Sequence, residues 1–237
     1  CHMVKAPGGR SGCHDMVYFA NEKGCAYLEK CNFKEWESNK IQMQFMLIED
    51  QMNAYVLTGG SSRRFGSDKA ISMLDGVTFL DTIYNTLQTS FSHVYSVGKK
   101  SYSDQLEFIL DFSDYQAAMV GVITALRHTT SPWNLIISVD MPYITLDVID
   151  SLQKEIDGGK HDVIMPTVNG KIFPLSGFYK QNCLAYFEKA YSCGKYRMMN
   201  VISSLNSAVV DLSHHDLQLT NVNTQKQIIR LDKINHK

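Results

Sequence analysis

The chain has 237 residues, 44% hydrophobic and 20% charged, enough for one full-size domain plus a short extra segment and too apolar for wholesale disorder. Its 23 Lys and Arg against 24 Asp and Glu leave a net charge of −1, so no polyanion is drawn to the surface as a whole and any anion needs a local site. With no apolar run near the ~18 residues of a membrane helix, no basic-then-apolar leader and no CxxC pair among six cysteines, the expectation is a soluble cytoplasmic protein with reduced thiols.

Texture changes near residue 50. Pro7 to Gly12 reads as a turn. Beyond it Leu28, Cys31, Ile41, Phe45 and Ile48 fall at roughly helical intervals and predict one long helix. Residues 1–52 are thus read as an N-terminal extension, too small to bury a core alone. Residues 53–237 are read as the main domain.

From Asn53 short apolar strands alternate with amphipathic helices. AYVLT at 54–58 precedes a helix over about 77–90, and HVYSV at 93–97 is followed by EFIL at 107–110 and a helix near 117–128. NLIISV at 134–139 leads to a helix near 145–156, DVIMP at 162–166 to LSGFYK at 175–180. Uninterrupted β-branched runs suit strands covered on both faces. The alternation predicts a mostly parallel, three-layer α/β sheet.

The first strand runs into Leu57-Thr58-Gly59-Gly60-Ser61-Ser62-Arg63-Arg64-Phe65-Gly66-Ser67-Asp68-Lys69. Two glycines let backbone N–H groups approach a ligand, and two arginines and a lysine add positive charge, so the segment reads as a phosphate cradle. It lies at the carboxyl end of a strand, where open α/β sheets bind ligands. It is neither GxGxxG nor GxxxxGK[ST], so neither a dinucleotide fold nor a P-loop is indicated. The competing reading is a Gly-rich loop with a solvated basic flank; the density of Gly, Arg and Lys favours the cradle.

Asp140, just past a buried strand that Pro142 stops, is placed to hold Mg²⁺ between nucleotide phosphates; alternatively it caps the helix starting near Thr145. Asp111 after EFIL either accepts hydrogen bonds from a base or ribose or, with Asp114, belongs to an ordinary turn. Asn221 and Asn223 alternate and Thr224 follows ahead of a last helix, as ligand groups or as strand end plus N-cap. Adjacent His214 and His215 are expected to point apart into solvent, and Cys183 and Cys193 to pack while flanking a helix. Tyr196-Arg197 meets either an anionic ligand or water.

Taken together, these elements resemble the molybdenum cofactor guanylyltransferase family, whose fold is that of the nucleotide-diphospho-sugar transferases. LTGGSSRRFGSDKA resembles its LxGGxSxRMGxDKA signature, with Phe65 where Met is usual. SVDMPYIT resembles its magnesium-site stretch, Phe173-Pro174-Leu175 its mid-chain segment and TNVNT its closing signature. The resemblance runs from about Asn53 to Leu231 and implies a Rossmann-like three-layer fold. It implies that Leu57, Thr58, Gly59 and Gly60 line the guanine nucleotide pocket, that Lys69 contacts and Arg64 neutralises the phosphates, and that Asp111 contacts the nucleotide. Asp140 would hold Mg²⁺ and share the catalytic work with Lys69 and Arg64, while Asn221 and Asn223 would meet the pterin. The implied reaction is attack by the terminal phosphate of molybdopterin on the α-phosphorus of GTP, releasing pyrophosphate. Cofactor-biosynthesis proteins and recipient molybdoenzymes are the implied partners.

Two stretches depart from the family. Its Gly/Pro-rich segment reads Gln116-Ala117-Ala118-Met119-Val120-Gly121, where alanine disfavours a positive φ. Val97 stands where some relatives place a nucleotide-contacting Asn. A cytidylyltransferase for the same pterin, or a regulatory fusion that only senses nucleotide, are the rival readings. The second comes from the N-terminal segment: GGRSG…FANEKGCAYLEKCNFKEWESNKIQ resembles the wing and dimer helix of molybdate-responsive, LysR-type winged-helix regulators. With no recognition helix ahead of it, DNA binding by this chain alone is not expected. An extension that packs on the enzyme or pairs two subunits fits equally.

Overall fold

A computed structural model describes residues 18–21, 24–27, 52–59, 69–156, 160–223 and 227. The turn expected at 7–12 and the long helix from Leu28 to Ile48 lie outside them. The chain divides into two units, residues 1–48 and 49–237. In the first, strand β1 (Tyr18–Asn21) pairs antiparallel with β2 (Gly24–Tyr27), Tyr18 opposite Tyr27 and Asn21 opposite Gly24. The sequence reading names no strand in residues 18–27 and does not foresee this hairpin.

The second unit is built on an eight-stranded sheet. Strand β3 (Asn53–Leu57) lies at its centre, flanked in parallel by β6 (His93–Gly98) and β8 (Trp133–Ser138), and β7 (Glu107–Leu110) extends the sheet beyond β6. Four of five β3 residues and five of six in β8 are buried. Apolar β-branched runs form such strands because helices cover both sheet faces. Tyr55 and Leu57 share one core cluster with Met119, Val122 and Ile123, which belong to helix α2 (Ala118–His128). Ala54 and Val56 alternate to the other face, where helix α1 (Phe79–Leu87) buries Phe79, Leu80, Ile83 and Leu87. α1 starts at Thr78, whose Oγ1 accepts from Asp81 N at 3.1 Å, satisfying one of the donors a helix N-terminus leaves open.

The chain turns back on itself where two-residue Asx-Gly pairs allow it. Asp75 and Gly76 (φ 48° and 82°) link β4 (Met73–Leu74) to β5 (Val77–Thr78), and Asn169 and Gly170 (φ 49° and 79°) link β9 (Val163–Val168) to β10 (Lys171–Ile172). The turn at Asn169-Gly170 reverses the chain for two strands. β11 (Ser176–Lys180) continues the reversed course and slots antiparallel between β8 and β9. Helix α3 (Leu146–Gln153) separates β8 from β9. Helices α4 (Leu184–Ser192) and α5 (Met198–Ile202) bring the chain to β12 (Ser207–Asp211), parallel to β9. The sheet is therefore mostly parallel, as expected, with β10 and β11 reversed. No described helix is long and apolar enough to cross a membrane.

Candidate functional site

The expected site residues collect at the carboxyl ends of β3, β6, β7 and β8. Leu57, the last residue of β3, is paired with Val97 on one side and Ser138 on the other. Thr58 is tied down next. Its N and Oγ1 both donate to the Val97 carbonyl, at 2.8 and 3.0 Å. That bond needs Gly98 opposite, since a Cβ there would lie 2.3 Å from Thr58 Oγ1. Val97 itself is fully buried, and its carbonyl is occupied by Thr58, so this position offers a ligand no polar side chain.

Gly59 faces Asp111: a Cβ on Gly59 would sit 3.5 Å from Asp111 Oδ2. The Asp111 amide donates to Gly98 O at 2.8 Å, which fixes the carboxylate at the head of the β7–α2 connection. Its side chain is 5% exposed. Lys99 Nζ lies 3.4 Å from Oδ2, and Thr124 of α2 donates to Oδ1 at 3.4 Å. Burial pushes the Asp111 carboxyl above its ordinary pKa, and Lys99 and Thr124 pull it partly back. Burial and an ion pair with Lys99 set Asp111 apart from an ordinary solvated turn residue.

The second group forms around Lys69. Its Nζ lies 3.4 Å from Asp140 Oδ2 and donates to Asn223 Oδ1 at 2.6 Å. Asp140 is held from two sides: Val139 N donates to Leu57 O at 3.1 Å, and Val222 N donates to Asp140 O at 2.7 Å. Asp140 therefore does not cap α3; Thr145 occupies the cap position. Asp140 Oδ1, Thr145 Oγ1 and Asn221 Oδ1 are buried with no hydrogen-bond partner among the described residues. Buried polar atoms normally find partners, and the Val222 to Asp140 hydrogen bond brings the segments of Asp140 and Asn221 together, so this junction is a candidate place for a polar ligand. Beside it opens a cleft of about 460 Å³ lined by Asn221, Asn223, Phe173, Asn169 and Lys171.

Gly60, Arg64 and Thr224 lie outside the described residues. Asn221 and Asn223 stand on an irregular loop rather than at a strand end. His214 and His215 do not diverge, because a 3₁₀ turn brings their rings to 4.2 Å. Cys183 is buried, whereas Cys193 is exposed and does not pack. Tyr196 lies against Tyr115, with ring centroids 4.2 Å apart. The alanines ahead of α2 need no positive φ: Ala117 is extended at φ −145° and Ala118 opens the helix. Lys99 was missed by sequence reasoning, although a lysine directly after a strand, on the same edge as Asp111, is a signal that could have found it.

Residues 54–209 match the family described as the MobA-like NTP transferase domain. The chain belongs to that family. Among its relatives, a protein named probable molybdenum cofactor guanylyltransferase from Bacillus cytotoxicus is 27% identical over 187 residues, covering 74% of this chain and 94% of the relative. One of the same name from Geobacillus sp. is 29% identical over 189 residues, covering 75% and 96%. The crystal structure of molybdopterin-guanine dinucleotide biosynthesis protein A from Archaeoglobus fulgidus shares the fold, with a TM-score of 0.67 at 23% identity over 78% of this chain and 99% of that one. The MobA-like domain thus accounts for the sheet edge at which Leu57, Asp111 and Asp140 gather, and nucleotidyl transfer is its class of chemistry. The match begins after the N-terminal unit.

Proposed function

We propose that this protein is a cytoplasmic molybdenum cofactor guanylyltransferase that moves GMP from GTP to molybdopterin and releases pyrophosphate. The observation that carries the reading is the meeting of Lys69, Asp140 and Asn223 at the carboxyl edge of the sheet. The names of the relatives supply the two substrates.

On this reading Leu57, Thr58 and Gly59 line the nucleotide pocket, with Gly60 and Arg64 continuing it. Asp111 accepts hydrogen bonds from the nucleotide. Lys69 balances charge on the phosphates, and Asn223, hydrogen-bonded to Lys69, sets where that ammonium stands. The cleft beside Asn221 and Asn223 combines amides with the Phe173 ring, a lining suited to a planar, hydrogen-bonding pterin. A phosphate oxygen of the pterin attacks the α-phosphorus, a new P–O bond forms and the α–β bridging bond breaks to release pyrophosphate. The chain's part is positioning and charge neutralisation.

The donor set suits Mg²⁺. Asp140 Oδ1 is buried and unpartnered, and no group of three or more His, Cys, Asp or Glu collects among the described residues. One carboxylate completed by phosphate oxygens and water is a usual magnesium arrangement. Bound at Asp140, the ion would supply further charge neutralisation on the phosphates. Cofactor-biosynthesis proteins and molybdoenzymes that receive the product are the partners this reading implies.

Calorimetric titration with GTP, CTP and ATP, each with and without Mg²⁺, tests the proposal, followed by turnover with molybdopterin. GTP is expected to bind at least tenfold tighter than CTP, about 1.4 kcal/mol, and to yield pyrophosphate. A preference for CTP, or no nucleotide binding, overturns it.

A further inference from the structure

Among the described residues that follow β3, β6 and β7 directly, Thr58, Lys99 and Asp111 carry the polar side chains. Thr58 is spent on the Val97 carbonyl and Val97 is buried, which leaves the carboxylate of Asp111 beside Gly59. A carboxylate this deeply buried tends to take up a proton unless a cation stands next to it. Lys99 is that cation. It comes from the residue after β6, and its ammonium touches two points of the following connection: Asp111 Oδ2 at 3.4 Å and the carbonyl of Ser113. It thereby fastens the start of the β7–α2 connection to the end of β6. Thr124 holds the other carboxylate oxygen. Each oxygen of an ionised carboxylate can accept about two hydrogen bonds, so capacity is left on both, and Gly59 places no side chain against Oδ2.

We infer that Lys99 is a positioning residue of the nucleotide pocket, keeping the Asp111 carboxylate charged and turned towards Gly59 so that it accepts the neighbouring N–H donors of guanine. This rests on the reading of the site as a GTP pocket. Guanine presents a ring N–H and an amino group side by side. Cytosine and adenine present one amino group beside a ring nitrogen that accepts, which an ionised carboxylate repels. A protonated Asp111 loses that discrimination, because one of its oxygens then donates. Lys99 thus acts on base selectivity through Asp111.

The test uses the full chain with Mg²⁺ and GTP or CTP as probes. Lys99→Met and Lys99→Gln are expected to weaken GTP at least tenfold and CTP less than threefold, while Lys99→Arg stays within threefold of the parent for both. In turnover the neutral variants raise KM for GTP and leave kcat within threefold. Their GTP affinity also fails at higher pH than the parent's on acidification. Among the described neighbours of Asp111, Lys99 from the end of β6 is the charged group, beside Thr124 of α2, Ser113 of its own connection and Gly59 after β3. In an Asp111→Asn background, which folds without the buried charge, Lys99→Met should cost less than threefold further. Neutral variants that bind GTP like the parent, equal losses for GTP and CTP, or a full tenfold loss in the Asp111→Asn background each sink the inference. A parent protein that binds no GTP sinks the site reading and this inference together, whereas a parent that binds GTP regardless of residue 99 sinks the inference alone.

Discussion

At Asp111 burial wins over the counterion. Its pKa is raised by desolvation, with Lys99 and Thr124 offsetting only part. A carboxyl whose folded pKa exceeds its unfolded one favours the fold while protonated. That contribution is present below the unfolded pKa and is lost as pH rises through the folded value. Near pH 7 the charged group therefore subtracts from stability, so Asp111→Asn is expected to raise the melting temperature there. The gain should shrink as pH falls through the raised folded pKa and vanish below the unfolded one, and GTP affinity should drop throughout; thermal melts at several pH values with parallel titrations check both. Lys69 and Asp140 are a different case: both side chains are partly buried outside the strands themselves, and the sheet is expected to survive their truncation. Lys69→Ala and Asp140→Ala should each lower transfer at least about a hundredfold, with unchanged circular dichroism. Normal turnover in both variants would mean that the chemistry sits elsewhere.

Two glycines at strand pairings separate a contact that can give way from one that cannot. At Gly98 an added Cβ meets the Thr58 hydroxyl at 2.3 Å. Gly98→Ala should cost about 1–3 kcal/mol, as overpacking does, and Thr58→Ala in the same chain should return most of it in denaturant unfolding. At Gly177 the Cβ would meet the backbone carbonyl of Ile164 at 2.2 Å, where β11 pairs with β9. Gly177→Ala is expected to destabilise more, and no side-chain truncation relieves it. The alternating strands and helices were legible because β-branched runs and 3.6-residue periodicity encode them locally. Asp75-Gly76 and Asn169-Gly170 carry a local signal as well, since both residues of each pair take positive φ, the signature of tight hairpins. The strands they join, β4, β5 and β10, are only two residues long on at least one side, too short for alternation to show. Lys99 and Asp111 belong to another category, because nothing local in EFILD distinguishes a turn carboxylate from a buried one that needs a counterion from the neighbouring strand.

For the whole domain, ligand and fold are linked. A nucleotide that binds only the folded state at a hundred times its Kd adds about 2.7 kcal/mol, or about 5–11 °C in melting temperature for a domain of this size. GTP with Mg²⁺ should produce such a shift, and EDTA should reduce it; a melt that ignores both would mean the pocket is not a nucleotide site. What no local reading could supply was the closing of the site from its far end. Lys69 and Asn223 are 154 positions apart, yet they share a 2.6 Å hydrogen bond, and the amide of Val222 grips the carbonyl of Asp140. On the proposed reading, Leu57, Gly59 and Asp111 are synthesised before the last strand and Asn223 after it. A frameshift or stop codon between β12 and Asn223 would leave a polypeptide that keeps the residues proposed for GTP and lacks those that reach Lys69 and Asp140 from the far end. Such a truncated translation product is expected to bind GTP and to turn over little of it.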